Sequence, residues 1–125
     1  MLIGHIDPEP GPEALESCSG HAHAPSPALP SAAELERAAG YLRAAAEPAR
    51  LRVLVQLASG ERCVSELADS SGEGLSTTSQ RLKLLRAEGL VVRRREGKHV
   101  YYALSDHHII DLVLGVIEHA REPLR

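Results

Sequence analysis

The sequence predicts a mainly α-helical fold with a β-hairpin wing, the winged helix-turn-helix, assembled as a homodimer. Apolar residues recur at helical spacing in five segments, and a turn-rich stretch at residues 70–74 separates the third from the fourth. Two strand-like segments around Glu96, Gly97 and Lys98 precede the fifth, which is the winged-helix order. The chain of 125 residues has no Trp and no Phe, so its small aliphatic core would gain stability from a second subunit.

The first helices are predicted from their capping residues. Residues 1–30 contain most of the prolines, which predicts a flexible N-terminal arm before a winged-helix domain at 31–125. Ser31 with Glu34 forms a capping-box pattern at the start of the first helix. Pro48 is placed to begin the second helix, which ends at Ser59 and Gly60.

The second half of the chain is predicted in the same way. A short helix covers residues 63–68, and Ser76 caps a helix that runs to about residue 88, before Gly89. Strands at 90–93 and 99–104 form the hairpin. Ser105 is expected to cap a last helix over residues 106–122, which Pro123 ends.

Charge is distributed unevenly along the chain. The formal net charge is -3. Basic residues nevertheless outnumber acidic ones between Ser76 and His99, whereas acidic residues dominate the first forty positions. A phosphate backbone responds to the local field, so the second helix of the helix-turn-helix and the hairpin are the predicted nucleic-acid surface. A solvated basic face is the other interpretation of such a run.

Five sequence pieces, in this order, resemble the ArsR/SmtB family of metal-responsive repressors: LRAAAEPARL at 42–51, CVSELA at 63–68, SQRLKLLR at 79–86, GKHVYY at 97–102 and DHH at 106–108. The resemblance covers about residues 35–122. It implies a metal-sensing transcriptional repressor that binds operator DNA with an inverted repeat as a dimer. Zinc, or a similar divalent metal, is expected to release it from the DNA.

The expected DNA contacts come from the fourth helix and the wing. Gln80 stands where relatives commonly carry His, and Gln can pair bidentately with adenine, so the operator sequence is expected to differ. The full set of candidates is Ser76, Thr77, Ser79, Gln80, Arg81 and Lys83 on the helix, with Arg93, Arg94, Arg95 and Lys98 in the wing.

The last helix carries the predicted metal ligands. Asp106 and His108 lie at its start, and His119 and Glu122 lie at i and i+3 near its end. The two histidines are about 16 Å apart along one helix, but antiparallel copies across a dimer twofold bring the start of one helix to the end of the other. Two such sites suit Zn²⁺, with Co²⁺ as a mimic, and the four positions match the family's terminal-helix site. His107 is expected to point away from His108.

A second metal site is predicted around Cys63. Cys18, His21 and His23 in the arm resemble the arm ligands of some relatives, and with Cys63 and Glu66 they would suit Zn²⁺, Cd²⁺ or Pb²⁺. The alternative is that Cys63 is a small buried residue.

Other classes of protein fit the sequence less well than a repressor. No recognisable set of catalytic residues accompanies Cys63, so an enzyme is not expected. A metal-buffering protein would leave the basic wing without a purpose, whereas a redox- or thiol-sensing repressor of the same fold could use Cys18 and Cys63. No apolar run reaches the roughly 20 residues that span a bilayer, and no signal peptide is recognisable, so a cytoplasmic protein without a membrane partner is expected.

Overall fold

A computed structural model describes residues 28–124. In these residues, five α-helices and three short β-strands follow one another along the chain. They are α1 (Ala32–Ala45), α2 (Pro48–Ala58), β1 (Arg62–Cys63), α3 (Val64–Ser71), α4 (Leu75–Ala87), β2 (Val91–Glu96), β3 (His99–Leu104) and α5 (His107–Arg121). This order confirms the predicted winged helix-turn-helix, with α3 and α4 as the helix pair and β2 and β3 as the wing.

The first two helices begin at the predicted residues. Ser31 Oγ accepts a hydrogen bond from the Glu34 amide at 3.1 Å, and the Glu34 carboxylate accepts one from the Ser31 amide at 2.8 Å. This reciprocal capping box satisfies amides that have no partner within the helix. Pro48 occupies the first position of α2, where its missing N–H costs nothing, and Glu47 is the cap.

Two predicted caps are wrong. Gly74, rather than Ser76, precedes α4, and no side chain caps that helix. Asp106, rather than Ser105, caps α5, because Asp106 has the extended backbone of an N-cap and its Oδ1 accepts the Ile109 amide at 3.1 Å.

The sheet contains a strand that the sequence pattern did not reveal. The two-residue strand β1 pairs with β3, with Arg62 opposite Tyr102 and Cys63 opposite Tyr101. The strand order is β1-β3-β2, all antiparallel. Two residues are too few to show an alternating pattern, so only pairing with a distant strand defines this element. Strand β2 also runs further than predicted, to Glu96.

The core lies between the helices and one face of the sheet. It is aliphatic, as the composition predicts, with Leu54, Leu82 and Leu85 fully buried and Tyr102 as its only aromatic member among the described residues. Thr78 is also buried, at 2% exposure. None of the described helices is both long enough and apolar enough to cross a membrane.

Candidate functional site

Helix α4 has one buried face and one exposed face. Thr78, Leu82 and Leu85 are buried at i, i+4 and i+7, which fixes how the helix lies on the core. At about 100° per residue, Ser76, Gln80 and Lys83 lie on the opposite side, and all three are exposed. Thr77 and Ser79 are exposed on its two flanks. The structure therefore places five of the six helix candidates on the solvent side.

Arg81, the sixth candidate, is held by a carboxylate. Its guanidinium donates two hydrogen bonds to Glu73, at 2.6 and 3.3 Å, and only 22% of its side chain is exposed. Glu73 lies in the turn between α3 and α4, so this bidentate pair links the turn to the helix. The link joins residues eight positions apart, and the sequence pattern did not reveal it.

The wing presents its arginines on two faces. Val91 and Leu104 are cross-strand partners and both are buried, so their face of the sheet packs on the core. Side chains alternate along a strand, which puts Arg93 and Arg95 on the same face as Val91, beyond the core and exposed. Lys98 is exposed in the turn, where Gly97 has a φ of 62°. Arg94 lies on the outer face.

Arg94 is engaged with two carboxylates and a ring. Its Nε donates to Glu61 Oε2 at 3.0 Å, its Nη2 also donates to Glu61, and its Nη1 donates to Glu96. Its Cζ lies 4.8 Å from the centroid of the Tyr101 ring. The hydrogen bond from Arg94 holds the pKa of Glu61 below its usual value, and the same bond raises the pKa of Arg94.

The four predicted metal ligands form two pairs at opposite ends of α5. His108 Nδ1 is 3.6 Å from Asp106 Oδ1, and His119 Nδ1 is 3.6 Å from Glu122 Oε1. All four side chains are more than half exposed. The backbone hydrogen bond from Ile109 lowers the pKa of Asp106, which favours its carboxylate form.

No group of three His, Cys, Asp or Glu side chains that could hold a metal occurs within residues 28–124 of one chain. The two pairs nevertheless share one helix face. His108 and His119 are eleven residues apart, so their directions differ by about 20°. Leu112 and Val116 lie between them on this stripe, and both are exposed.

His107 lies closer to His108 than expected. The two ring centroids are 4.1 Å apart, so the prediction that His107 points away is wrong. Both residues belong to the first turn of α5, where no preceding helical turn restricts the side chains.

Cys63 is half-buried rather than part of the core. Its Sγ is 3.2 Å from Ser65 Oγ. Glu66, its predicted neighbour in a metal site, accepts a hydrogen bond from the Cys63 amide at 3.0 Å, and this bond lowers the pKa of Glu66. The other three predicted ligands, Cys18, His21 and His23, lie outside the described residues.

Comparison with known proteins is consistent with this geometry. Residues 47–92 match the family described as "Bacterial regulatory protein, arsR family". The chain is 42% identical to the HTH-type transcriptional repressor SmtB of Mycobacterium tuberculosis over 96 residues, covering 77% of this chain and 71% of that protein. It is 35% identical to a cadmium resistance transcriptional regulatory protein CadC homolog of Staphylococcus aureus, covering 67% of this chain and 70% of that protein.

A solved structure has the same architecture. The homodimeric winged helix-turn-helix DNA-binding domain Mb0332 of Mycobacterium bovis superimposes with a TM-score of 0.70 at 35% identity, covering 82% of this chain and 94% of that one. These relatives are DNA-binding transcriptional regulators rather than enzymes. The chain belongs to the ArsR/SmtB family of bacterial transcriptional repressors.

Proposed function

We propose that this protein is a zinc-responsive repressor, which binds an inverted-repeat operator as a homodimer and releases it when zinc occupies sites shared by two α5 helices. The observation that carries the proposal is the pair of carboxylate–imidazole half-sites at the two ends of one α5 face. A similar divalent metal could take the same position, since availability as well as affinity selects the metal in a cell.

The face between the half-sites is suited to a second copy of α5. Leu112 is 37% exposed and Val116 is 49% exposed, although both are apolar. An added side chain at Gly115 would meet nothing within 4 Å, so a partner helix has space to approach the backbone there. Leu35 and Leu42 of α1 are also more than half exposed. We propose that α1 and α5 together form the dimer interface.

An antiparallel α5 pair completes two metal sites. The Asp106 and His108 of one protomer then meet the His119 and Glu122 of its partner, and the twofold axis repeats this arrangement. Two imidazoles and two carboxylates are a donor set that suits tetrahedral Zn²⁺ or Co²⁺. Asp106 Oδ1 is held by the helix cap, which leaves Oδ2 for a ligand role.

The DNA contacts are proposed from the exposed side of α4 and the wing. Ser76, Gln80 and Lys83 point away from the core and would enter the major groove, with Thr77 and Ser79 beside them. Arg93, Arg95 and Lys98 would contact phosphates. Selection from a random duplex library tests this: we expect an inverted repeat whose half-sites lie about one helical turn apart. Recovery of unrelated sequences would contradict it.

Subunit complementation tests the shared metal site. One variant carries Asp106→Ser and His108→Ala, and the other carries His119→Ala and Glu122→Gln. Each homodimer should lose both α5 zinc sites. After subunit exchange, mixed dimers keep one complete α5 site, so the zinc capacity of the α5 sites should return to about a quarter of the unmutated value.

The control for complementation is a variant with all four changes. Mixed with either partial variant, it should restore no zinc binding at the α5 sites, because every such site then lacks at least one half. Calorimetry with zinc and the visible absorption of Co²⁺ both report the sites. Full zinc capacity in either partial homodimer would show that these four residues do not form shared sites.

A second metal site at Cys63 is proposed because its thiol is half-exposed at the start of α3. Cys18, His21 and His23 of the N-terminal arm would join Cys63 and Glu66 around Zn²⁺, Cd²⁺ or Pb²⁺. Cadmium should give a thiolate charge-transfer absorption that Cys63→Ser removes. If peroxide, and not metal, released the DNA in a Cys63-dependent way, a thiol-sensing repressor would be the better description.

A further inference from the structure

The outer face of the sheet carries a set of contacts that spans all three strands. Arg94 lies on the edge strand β2, Tyr101 on the central strand β3, and Glu61 directly before the other edge strand, β1. Cross-strand partners share a face, and Arg94 is paired with Tyr101. The guanidinium therefore reaches across the central strand to the opposite edge.

The polar groups of Arg94 are used within the protein. Glu61 accepts from Nε and Nη2, which is the bidentate geometry that fixes a guanidinium in one orientation, and Glu96 accepts from Nη1. The guanidinium carbon also lies over the Tyr101 ring, at cation–π distance. The two carboxylates also offset the positive charge that a phosphate would otherwise meet.

Arg93 and Arg95 differ from Arg94 in the face of the sheet that they occupy and in their contacts with carboxylates. They lie on the face of the sheet that packs on the helices, so they are on the same side as α4. Both are exposed, and no carboxylate lies within ion-pair distance of either in the described residues. Their charges are thus available on the side of the wing where α4 approaches DNA.

We propose that Arg94 is a positioning residue: it fixes the wing to the helix-turn-helix so that Arg93 and Arg95 reach phosphates, and it does not itself contact DNA. Glu61 is the anchor, because β1 leads directly into α3, the first helix of the helix-turn-helix. The inference rests on the proposed DNA binding. It separates three adjacent arginines into one structural and two DNA-contacting residues.

Salt titrations of DNA affinity distinguish these roles. The full-length, metal-free protein is titrated against the selected operator duplex by fluorescence anisotropy at several KCl concentrations. Each phosphate contact contributes roughly 0.9 to the slope of the logarithm of the binding constant against the logarithm of the salt concentration. A dimer has two wings, so loss of one phosphate contact per protomer should reduce this slope by about 1.8. We expect this reduction for the control, Arg93→Ala.

Arg94→Ala should weaken binding by roughly fivefold at every salt concentration, because a loosened wing has to be ordered on binding. The slope should stay unchanged, because Arg93 and Arg95 still contact phosphates once the complex has formed. Glu61→Gln should also weaken binding, although it removes a negative charge. Amide hydrogen exchange in residues 95–99 should accelerate in both variants and not in Arg93→Ala, while the exchange of α4 stays unchanged.

Two results would overturn the inference. A slope reduction in Arg94→Ala equal to that of Arg93→Ala would make Arg94 a phosphate contact. Tighter binding with a steeper slope in Glu61→Gln would mean that Glu61 withholds Arg94 from DNA. Glu61→Gln keeps the test available if Arg94→Ala does not fold. Absence of DNA binding by the unmutated protein would instead contradict the proposed function.

Discussion

The carboxylate of Asp106 caps α5 and is also a proposed metal ligand. Its Oδ1 caps α5 by accepting the Ile109 amide, and the same oxygen lies 3.6 Å from His108 Nδ1. In the proposed metal site, Asp106 is also a ligand. A substitution that removes the carboxylate therefore risks changing helix stability and metal binding together, and the two effects have to be separated.

Two substitutions of Asp106 distinguish its capping of α5 from its proposed role as a metal ligand. Ser is a good N-cap residue but a poor zinc ligand, whereas Ala is neither. Metal-free Asp106→Ala should unfold about 5 °C below the unmutated protein, and Asp106→Ser should unfold close to it. Both should lose zinc affinity. Thermal unfolding and zinc calorimetry measure the two effects, and unchanged zinc affinity in Asp106→Ser would contradict a ligand role.

Carboxylates with a lowered pKa make the stability of the metal-free protein depend on pH. The backbone hydrogen bond from Arg50 lowers the pKa of Glu47, and the hydrogen bond from Arg94 lowers that of Glu61. A group whose pKa is lower in the folded state stabilises the fold above its unfolded pKa, and this contribution disappears as pH falls through the folded value.

We therefore expect the unfolding temperature to fall between about pH 5 and pH 3, since an unperturbed Glu titrates near 4.3. Glu47→Gln should reduce this dependence, because Gln can cap α2 but does not titrate in this range. An unfolding temperature that rises as the pH is lowered over the same interval would show that these carboxylates do not stabilise the fold in their ionised form.

Residue spacing predicted which polar side chains of α5 lie close together, but it did not predict the hydrogen-bond partners across the fold. The spacing of His119 and Glu122 placed them on one helix face, and the structure has them 3.6 Å apart. The choice of Asp106 over Ser105 as cap depends on backbone angles, which composition does not specify. The pairing of Arg94 with Glu61 joins residues 33 positions apart, so no local pattern could have predicted it.

At the scale of elements, α5 is apolar on more than one side. Val113 is buried against the core, whereas Leu112 and Val116 are exposed on the stripe between the two histidines. A helix with apolar residues on its solvent side indicates an unsatisfied packing surface. The long helices were predictable because their apolar periodicity extends over several turns, while β1 was not, because it is defined only by its pairing with β3.

The exposed apolar stripe of α5 leads to a prediction about the dimer. Leu112→Glu and Val116→Glu place charges on the proposed interface and should shift the protein toward monomers in sedimentation experiments at micromolar concentration. Leu114→Glu is the matched control, because Leu114 is 44% exposed but lies off the stripe by about 160°. Equal dissociation by all three variants, or by none, would contradict this interface.

At the scale of the whole molecule, metal and DNA are expected to oppose each other. Shared ligands would fix the relative placement of two α5 helices, and the dimer sets the separation of the two α4 helices. Operator half-sites require a fixed separation, so a small change between subunits weakens binding. We expect a coupling free energy of about 1–3 kcal/mol, and DNA should weaken zinc binding by the same factor.

His119 provides the test of this coupling. His119→Ala should bind the operator with unchanged affinity in the absence of zinc, but zinc should no longer release it. Fluorescence anisotropy of labelled operator, with zinc or a chelator, measures both. Equal zinc-dependent release from His119→Ala and from the unmutated protein would exclude α5 as the sensor and favour the site at Cys63.

The distance between the half-sites along α5 would also make the proposed zinc response depend on the amount of protein. In the proposed arrangement a single chain carries two incomplete sites, and a complete site exists only where two chains are associated. Zinc would therefore strengthen dimerisation, and the apparent zinc affinity would decrease when the protein is diluted below its dimer dissociation constant. In a cell, the zinc concentration that triggers the response would then shift with the copy number of the repressor itself.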